Sequence, residues 1–242
     1  MIERLVAIMT TLRGPGGCDW DRAQTWRSIA PYTVEEAYEV ADAIARDDAD
    51  DLRDELGDLL LQVVFHAAIA ESCGAFTLQQ VVDGICDKME RRHPHIFGDA
   101  KAGGRAQWEQ LKADERAAKG SGGALDGVAL GLPALLRAEK LQKRAARVGF
   151  DWPDADGPRA KIDEELAEIA SATDATRAEE VGDLLFAVVN WVRHLGIGAE
   201  DALARGNAKF ERRFRAMEAR DPDFAHRDLA AQEALWQAVK AE

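Results

Sequence analysis

Residues 34–66 read VEEAYEVADAIARDDADDLRDELGDLLLQVVFH, and the rest of the chain is organised around this stretch. Residues three or four apart share one face of a helix, and four carboxylates here have that spacing. They form two pairs: Glu36 with Glu39, and Glu55 with Asp58. The acidic segment 47–51 predicts a hinge that folds two helices into an antiparallel hairpin, in which the two pairs face each other.

The two carboxylate pairs predict a metal site. Carboxylates gathered on facing apolar helices repel one another and resist ionisation unless a cation lies between them. Oxygen ligands of this kind suit Mg²⁺ or Mn²⁺. Acidic residues at helical spacing more often form a solvated face, but Glu55 and Asp58 lie among the apolar residues of segment 52–64. Carboxylates that interrupt such a core-type pattern need a partner.

The composition describes an ordinary globular protein. With 242 residues, of which 47% are hydrophobic and 31% charged, the chain can form one large domain or two small ones. Its net charge of −13 disfavours nucleic acid and anionic membranes as partners, because both require a cationic surface. A small anionic substrate is compatible with this charge if metal ions and local Lys or Arg residues offset it.

The apolar runs and the cysteines predict a cytoplasmic protein. The first residues form an amphipathic pattern and lack the apolar core of a signal peptide. The longest apolar run, residues 59–70, is too short to span a bilayer. Cys18, Cys73 and Cys86 show no paired ligand spacing, so we expect neither a disulfide framework nor a zinc site, but reduced and mostly buried thiols.

The N-terminal third of the chain reads as helices separated by short breaks. A helix over residues 1–13 is stopped by glycines and a proline, and a loop carries residues 18–21. We expect the hairpin to be entered through Pro31, because Thr33 and Glu36 have the spacing of a capping box.

The following segments are also helical in pattern. A helix is expected over residues 77–92 and ends before Pro94, and another holds residues 108–112. The Gly-rich segment 119–131 predicts a linker. Because strand-like alternation is nearly absent, we predict an all-α fold.

An internal repeat is the strongest signal in the chain, because the same features return in the same order after the linker. The matching segments are 17–20 with 149–152, 35–39 with 164–168, 55–60 with 180–185, 88–92 with 209–213, and 108–112 with 236–240. Their offsets are 132, 129, 125, 121 and 128 residues. We therefore predict a tandem of two related helical-bundle domains, residues 1–118 and 132–242, joined by the linker 119–131.

The repeated features together describe a site for nucleotide phosphates. Each copy adds to its carboxylates a Lys and an Arg four residues apart on one helical face, and a Trp near a Lys. These residues are Lys88, Arg92 and Trp108 in the first copy, and Lys209, Arg213 and Trp236 in the second. Cations bind phosphate oxygens, and an indole stacks on a base. Each feature alone is more often structural, but their joint recurrence favours a site.

At these residues the chain resembles the MazG family of nucleoside triphosphate pyrophosphohydrolases, over nearly its whole length. The acidic motifs at 35–39 and 55–58 are shared with the wider all-α pyrophosphohydrolase group, which includes dimeric dUTPases and phosphoribosyl-ATP pyrophosphohydrolase. The tandem arrangement is similar to the two-domain bacterial form of the family, with Glu-Arg-Arg-His-Pro-His at 90–95 and Lys-Phe-Glu-Arg-Arg-Phe at 209–214.

The resemblance implies a homodimer that uses Mg²⁺ to hydrolyse NTPs and dNTPs to the monophosphate and pyrophosphate. It implies a metal-binding and catalytic quartet in the C-terminal copy: Glu165, Glu168, Glu180 and Asp183. It also implies that Lys209, Arg213 and Trp236 contact the nucleotide. The N-terminal copy keeps the full quartet of Glu36, Glu39, Glu55 and Asp58, so it is a second candidate metal site whose activity stays open.

Two alternatives remain at this stage. The enzyme could be a pyrophosphohydrolase restricted to one nucleotide, such as dUTP or phosphoribosyl-ATP. At least the N-terminal copy could instead be a regulatory module that holds a nucleotide without cleaving it. A purely structural scaffold is the weakest interpretation, because it leaves two acidic quartets unexplained.

Overall fold

The computed structural model describes residues 2–98 and 123–241, and these residues form α-helices and one 3₁₀ turn, with no strand among them. The predicted all-α fold is confirmed. The chain divides into two compact units, residues 1–113 (unit 1) and 114–242 (unit 2). The predicted helical stretch 108–112, with Trp108, lies outside the described residues, as does the first part of the predicted linker, residues 119–122.

Unit 1 is built on a helical hairpin. Its helices are α1 (Ile2–Arg13), α2 (Asp19–Ala23), α3 (Trp26–Ala45), α4 (Ala49–Ser72), α5 (Leu78–Arg92) and α6 (Pro94–Phe97). Helices α3 and α4 pack against each other, and α1 and α5 pack on α4. Their buried core is formed by Met9, Ile29, Val64, Phe65 and Ile69.

The acidic hinge predicted at 47–51 is present but shorter, because residues 49–51 already belong to α4. Asp47 has a left-handed backbone with φ 54°, and the Asp48 side chain caps α4 by accepting a hydrogen bond from the Asp51 N–H. Arg46 forms ion pairs with Asp42, Asp48 and Asp51. The chain therefore reverses within residues 46–48, and the acidic side chains are partly neutralised there by one guanidinium.

Unit 2 contains a second hairpin. Its helices are α7 (Ala134–Arg147), α8 (Asp156–Ser171), α9 (Arg177–His194), α10 (Ala199–Arg220) and α11 (Leu229–Lys240), with a 3₁₀ turn at Phe224–His226. Helices α8 and α9 form the hairpin, α7 packs on α9 and α10, and α11 packs on α10. Within the predicted linker, the Asp126 carbonyl accepts a hydrogen bond from Arg144 on α7.

The start of α3 corrects the sequence analysis. The helix begins at Trp26, and Thr25 and Ser28 form the capping box, so Pro31 lies inside the helix. The side chains of Thr25 and Ser28 each accept a hydrogen bond from the backbone N–H of the other residue. These two bonds stabilise the start of the helix and compensate for the backbone hydrogen bond that Pro31 cannot donate. In contrast, the predicted cap at Thr77 is confirmed, with Gln80 as its partner.

Two smaller expectations are also wrong. Residues 18–21 belong largely to the short helix α2 instead of a loop, because Asp19 and Asp21 favour the positive end of a helix in its first turn. The cysteines are free, as expected, but they are not mostly buried: Cys73 and Cys86 are exposed and Cys18 is half-buried.

Candidate metal and nucleotide site

The hairpin of unit 2 brings three predicted carboxylates together. Glu165 and Glu168 lie on α8, Glu180 lies on α9, and each offers one oxygen within 4.8 Å of the others. Asp183 lies three residues after Glu180 on the same helix, and Asp183 and Glu165 line a common cavity. The spacing predicted from the sequence therefore produces a convergent group of oxygen ligands.

Glu165 is the most buried member of this cluster, with 3% of its surface exposed. Its Oε1 lies 2.7 Å from the Lys161 Nζ, whereas its buried Oε2 has no hydrogen-bond partner among the described residues. Lys161 also pairs with Glu164, and both hydrogen bonds raise the pKa of the Lys161 ammonium. Because buried carboxylate oxygens are normally paired, the second oxygen of Glu165 is suited to a cation.

Repulsion within the cluster supports the same interpretation. Loss of hydration, followed by repulsion from Glu165, raises the pKa of Glu168. Carboxylates that resist ionisation together are stabilised by a bound divalent ion. The oxygen-only donor set therefore fits Mg²⁺ or Mn²⁺.

The hairpin of unit 1 carries an equivalent cluster. Glu36, Glu39 and Glu55 each offer an oxygen within 4.8 Å of the others. Loss of hydration and then repulsion from Asp58 raise the pKa of Glu36, so Asp58 lies close enough to act on the cluster. Loss of hydration and then repulsion from Glu39 raise the pKa of Glu55. Among the described residues, no Lys or Arg forms an ion pair with these four carboxylates.

The two quartets are less buried than the sequence suggested. Glu165 is buried, but Glu39, Asp58, Glu168 and Asp183 are exposed. The apolar residues beside them on α4 are also open, with Leu56 48% and Leu60 43% exposed. The apolar run therefore does not bury this face of the hairpin within one chain.

The predicted nucleotide contacts lie on α10 and α11. The Arg213 guanidinium carbon is 5.8 Å from the centre of the Trp236 ring, and Phe210 is 5.5 Å from the same ring. Lys209 is exposed, one turn before Arg213. The structure thus brings Arg213 and Trp236 together. Among the described residues, no hydrogen bond or ion pair joins Lys209, Arg213 or Trp236 to the carboxylate clusters.

A cavity of about 580 Å³ opens beside the unit 2 cluster, between α7, α8 and α9. Glu165 and Asp183 line it together with Lys161, the ion-pair partner of Glu165. The remaining walls combine aromatic and polar side chains, among them Phe150, Trp152, Phe186, Gln142, Asn190 and Arg193. A space of this volume is suited to a small organic ligand.

Comparisons with known proteins identify the family of the chain. The profile of the MazG nucleotide pyrophosphohydrolase domain matches residues 24–97, which span α3, α4 and α5. The chain is 52% identical to the nucleoside triphosphate pyrophosphohydrolase of Escherichia coli K12, over 100% of this chain and 97% of that protein. The chain belongs to the MazG family.

Two further relatives extend this membership. The MazG nucleoside triphosphate pyrophosphohydrolase/pyrophosphatase of Thermotoga maritima is 47% identical over 90% of this chain and 86% of its own length. The nucleoside triphosphate pyrophosphohydrolase of Mycobacterium tuberculosis is 37% identical over 84% of this chain and 60% of its own length. The MazG family resemblance inferred from the motifs is therefore confirmed.

The ion pair of Asp151 in this MazG family chain was not recognised from the sequence. Asp151 was noted as part of a repeated motif, yet it forms an ion pair with Arg193 and a hydrogen bond with His194 at 3.1 Å. Burial raises the pKa of Asp151, but the hydrogen bonds from Arg193 and His194 outweigh it, so the net pKa is lowered. The signal available in the sequence was the repeated Gly-x-Asp-Trp motif at 149–152.

Proposed function

We propose that this chain is a nucleoside triphosphate pyrophosphohydrolase that cleaves NTPs and dNTPs to the monophosphate and pyrophosphate. The observation that carries the proposal is the convergent cluster of Glu165, Glu168 and Glu180, with a buried and unpartnered oxygen on Glu165 among the described residues. The names of its E. coli and T. maritima relatives support the same activity. The enzyme is thus a hydrolase that acts on the α–β phosphoanhydride.

The unit 2 quartet is the proposed metal site and catalytic centre. Glu165, Glu168, Glu180 and Asp183 would hold Mg²⁺, which when bound polarises phosphate oxygens and lowers the pKa of a water ligand. One carboxylate of the cluster accepts the proton of the water that attacks the α-phosphorus. Lys161 holds Glu165 in place through its ion pair, and this limits the movement of the cluster.

Residues on α10 and α11 are proposed to bind the nucleotide. Lys209 and Arg213 offset the negative charge on the leaving pyrophosphate. Trp236 lies against Arg213 and offers an aromatic surface on which a base can stack. The proposed role of these residues rests on the family motif and on the packing of Arg213 against Trp236.

Glu36, Glu39, Glu55 and Asp58 are a second proposed metal site. The exposed apolar side chains of the unit 1 hairpin, including Tyr38 at 56% exposure, favour a homodimer. Among the described residues, no helix has the length and apolar character needed to cross a membrane. The predicted cytoplasmic location and the absence of a nucleic-acid partner stay predictions.

The proposal is tested by pyrophosphate release from a panel of NTPs and dNTPs with Mg²⁺. The variant Glu180→Gln with Asp183→Asn should be inactive and keep its helical circular dichroism, and Glu55→Gln with Asp58→Asn is its matched counterpart in unit 1. Calorimetric titration with Mn²⁺ in the absence of nucleotide measures metal binding independently of activity. Full activity of the unit 2 variant would refute the assigned centre.

The panel also decides between the alternatives. Strict preference for one nucleotide would support the restricted pyrophosphohydrolase. Tight nucleotide binding without pyrophosphate release would support the regulatory module.

A further inference from the structure

Four aromatic side chains form a continuous row between α10 and α11. The Trp236 ring centre lies 5.5 Å from that of Phe210, which lies 5.8 Å from that of Phe214. Phe214 in turn meets Phe224 of the 3₁₀ turn edge-on at 5.2 Å. These separations lie in the range of about 4.5–7 Å in which aromatic pairs attract each other. The row therefore links Trp236 on α11 to the connection between the two helices.

Polar contacts hold the connection between α10 and α11 in place. Arg227 donates two hydrogen bonds, of 2.7 and 3.2 Å, to the carboxylate of Asp221. A double contact of this kind restricts both side chains more than a single hydrogen bond does. On α11, the Gln232 Nε2 donates a bond of 3.2 Å to the Phe224 carbonyl, and the Asp228 side chain caps the helix. The start of α11 is thus tied to the aromatic row.

Phe210 contacts Trp236 at the surface and not in the core. Phe210 is 57% exposed, and Trp236 is half-buried. Because more than half of Phe210 stays in water, the core of unit 2 gains little from it. Among the described residues, its ring contacts are those with Phe214 and Trp236. The Arg213 guanidinium carbon lies 5.8 Å from the same indole, so Trp236 has a phenyl neighbour and a cationic neighbour on one helix.

Two rows of side chains run side by side along α10. Lys209 and Arg213 are four residues apart, as are Phe210 and Phe214, so each pair shares one face of the helix. The cationic row carries the groups proposed above for phosphate binding. The aromatic row carries the contact that seats Trp236. The side chain of Phe210 therefore helps to set where the indole lies relative to the cations.

We propose that Phe210 is a positioning residue for the nucleotide, because it holds the Trp236 ring beside Arg213 in readiness for the base of the substrate. This inference rests on the proposed pyrophosphohydrolase function, in which Lys209, Arg213 and Trp236 bind the substrate. A ring that is already held in place loses less conformational freedom when the nucleotide binds, so binding is tighter. Phe210 acts through Trp236 and makes no bond to the reacting atoms.

The variant Phe210→Leu removes the ring and keeps an apolar side chain at this exposed position. The KM for the preferred nucleoside triphosphate should rise about 5-fold, with kcat within about 2-fold of wild type, because an interaction that serves binding alone is lost. Phe210→Tyr keeps the ring and should keep the wild-type KM. An unchanged KM in Phe210→Leu, or an equal rise in Phe210→Tyr, would overturn the inference.

Phe76→Leu is the matched control in unit 1. Phe76 is 40% exposed and stacks on Trp26 at 6.3 Å, so this substitution removes a phenyl–indole contact from the other unit. The variant should keep the wild-type KM. If its KM rose as much as that of Phe210→Leu, the effect would come from lost stability, and the positioning role would be refuted.

A double-mutant cycle tests the route through Trp236 without the need for turnover. The probe is α,β-methylene-ATP, whose bridging carbon prevents the release of pyrophosphate, and calorimetry measures its Kd in the presence of Mg²⁺. Phe210→Leu should weaken the Kd about 5-fold in the wild-type background but less than about 2-fold in the Trp236→Leu background. Equal weakening in both backgrounds would contradict the inference and leave the nucleotide site standing.

The behaviour of wild type separates this inference from the activity. If wild type binds the analogue but releases no pyrophosphate from any nucleotide, the pyrophosphohydrolase function fails, and the cycle still decides the role of Phe210. If wild type does not bind the analogue, the role of Phe210 is refuted together with the nucleotide site.

Discussion

The hairpins α3–α4 of unit 1 and α8–α9 of unit 2 carry equivalent carboxylate clusters, but the residues packed around the two hairpins differ. On α4, Phe65 is 4% exposed, lies 6.3 Å from Trp20, and has the Arg13 guanidinium 5.4 Å from its ring centre. The offset of 125 matches Phe65 with Asn190 on α9, where the side chain accepts a hydrogen bond from Arg193 and lines the cavity. Thus one copy uses this position for packing and the other for a polar cavity.

The charged residues near the two clusters also differ. The offset of 129 matches Lys161, which pairs with Glu165, to Tyr32, which packs edge-on against Trp20. Unit 1 therefore has an aromatic ring where unit 2 has a cation. Lost hydration and then repulsion raise the pKa of Glu36 and Glu55 in unit 1. The same causes raise the pKa of Glu168 in unit 2, but there the charge of Lys161 acts in the opposite direction. The comparison indicates that an acidic motif by itself does not define an active centre, because the neighbouring residues determine its charge and access.

The largest expected effect comes from removing the buried carboxylate. Glu165→Gln should lower kcat/KM for pyrophosphate release by about 10³-fold, because it removes a charged oxygen ligand of the proposed divalent ion. Glu36→Gln, at the matched position of unit 1, should change it by less than about 3-fold. Steady-state kinetics at saturating Mg²⁺ checks both variants. A larger loss for Glu36→Gln would reverse the roles assigned to the two hairpins.

The second prediction concerns the aromatic packing of unit 1. Phe65→Ala should lower the free energy of unfolding of unit 1 by about 3–5 kcal/mol, because it leaves a cavity in a closed core. Phe186→Ala is the control in unit 2 and should cost about 1 kcal/mol or less, since Phe186 is 43% exposed. Urea denaturation followed by circular dichroism measures both. Equal losses of unfolding free energy would mean that Phe65 is packed no more tightly than Phe186.

The third prediction uses the pH dependence of the Asp151 ion pair. Because its pKa is lowered in the folded chain, Asp151 contributes stability above its unfolded pKa of about 3.9. This stability is lost as the pH falls through the folded value. Asp151→Asn should therefore cost about 1.5–3 kcal/mol at pH 7 and progressively less below about pH 4. Thermal unfolding of wild type and Asp151→Asn across this pH range measures the difference in stability. A difference that does not change with pH would contradict the prediction.

The smallest expected effect concerns helix capping. Thr25 caps α3 with its side chain, whereas the N-cap residues of α8 and α9, Ala155 and Thr176, make no side-chain cap. Thr25→Ala should cost about 1 kcal/mol, and Thr176→Ala before α9 about 0.5 kcal/mol or less. Chemical denaturation resolves the difference. Similar costs at the two positions would show that capping does not distinguish the hairpins.

The helical features could largely be predicted from the sequence, because they depend on residues close together in the chain. The hinge at 46–48, the cap at Thr77 and the convergence of Glu165 with Glu168 all follow from spacings within a few residues. The start of α3 was missed because two local signals competed, one at Thr25 and one at Thr33, and the pattern alone does not rank them.

The sequence by itself thus determined the all-α class, the two acidic quartets and the membership of the MazG family. The tertiary structure decided which side chains share a space: Phe65 with Trp20 in one hairpin, and Gln142 with Asn190 beside a cavity in the other. The burial of Glu165 and the unpaired oxygen of Gln142 belong to this second class. Helical periodicity arises from hydrogen bonds between near neighbours, whereas cavities and unpaired groups arise only where faces from distant helices meet.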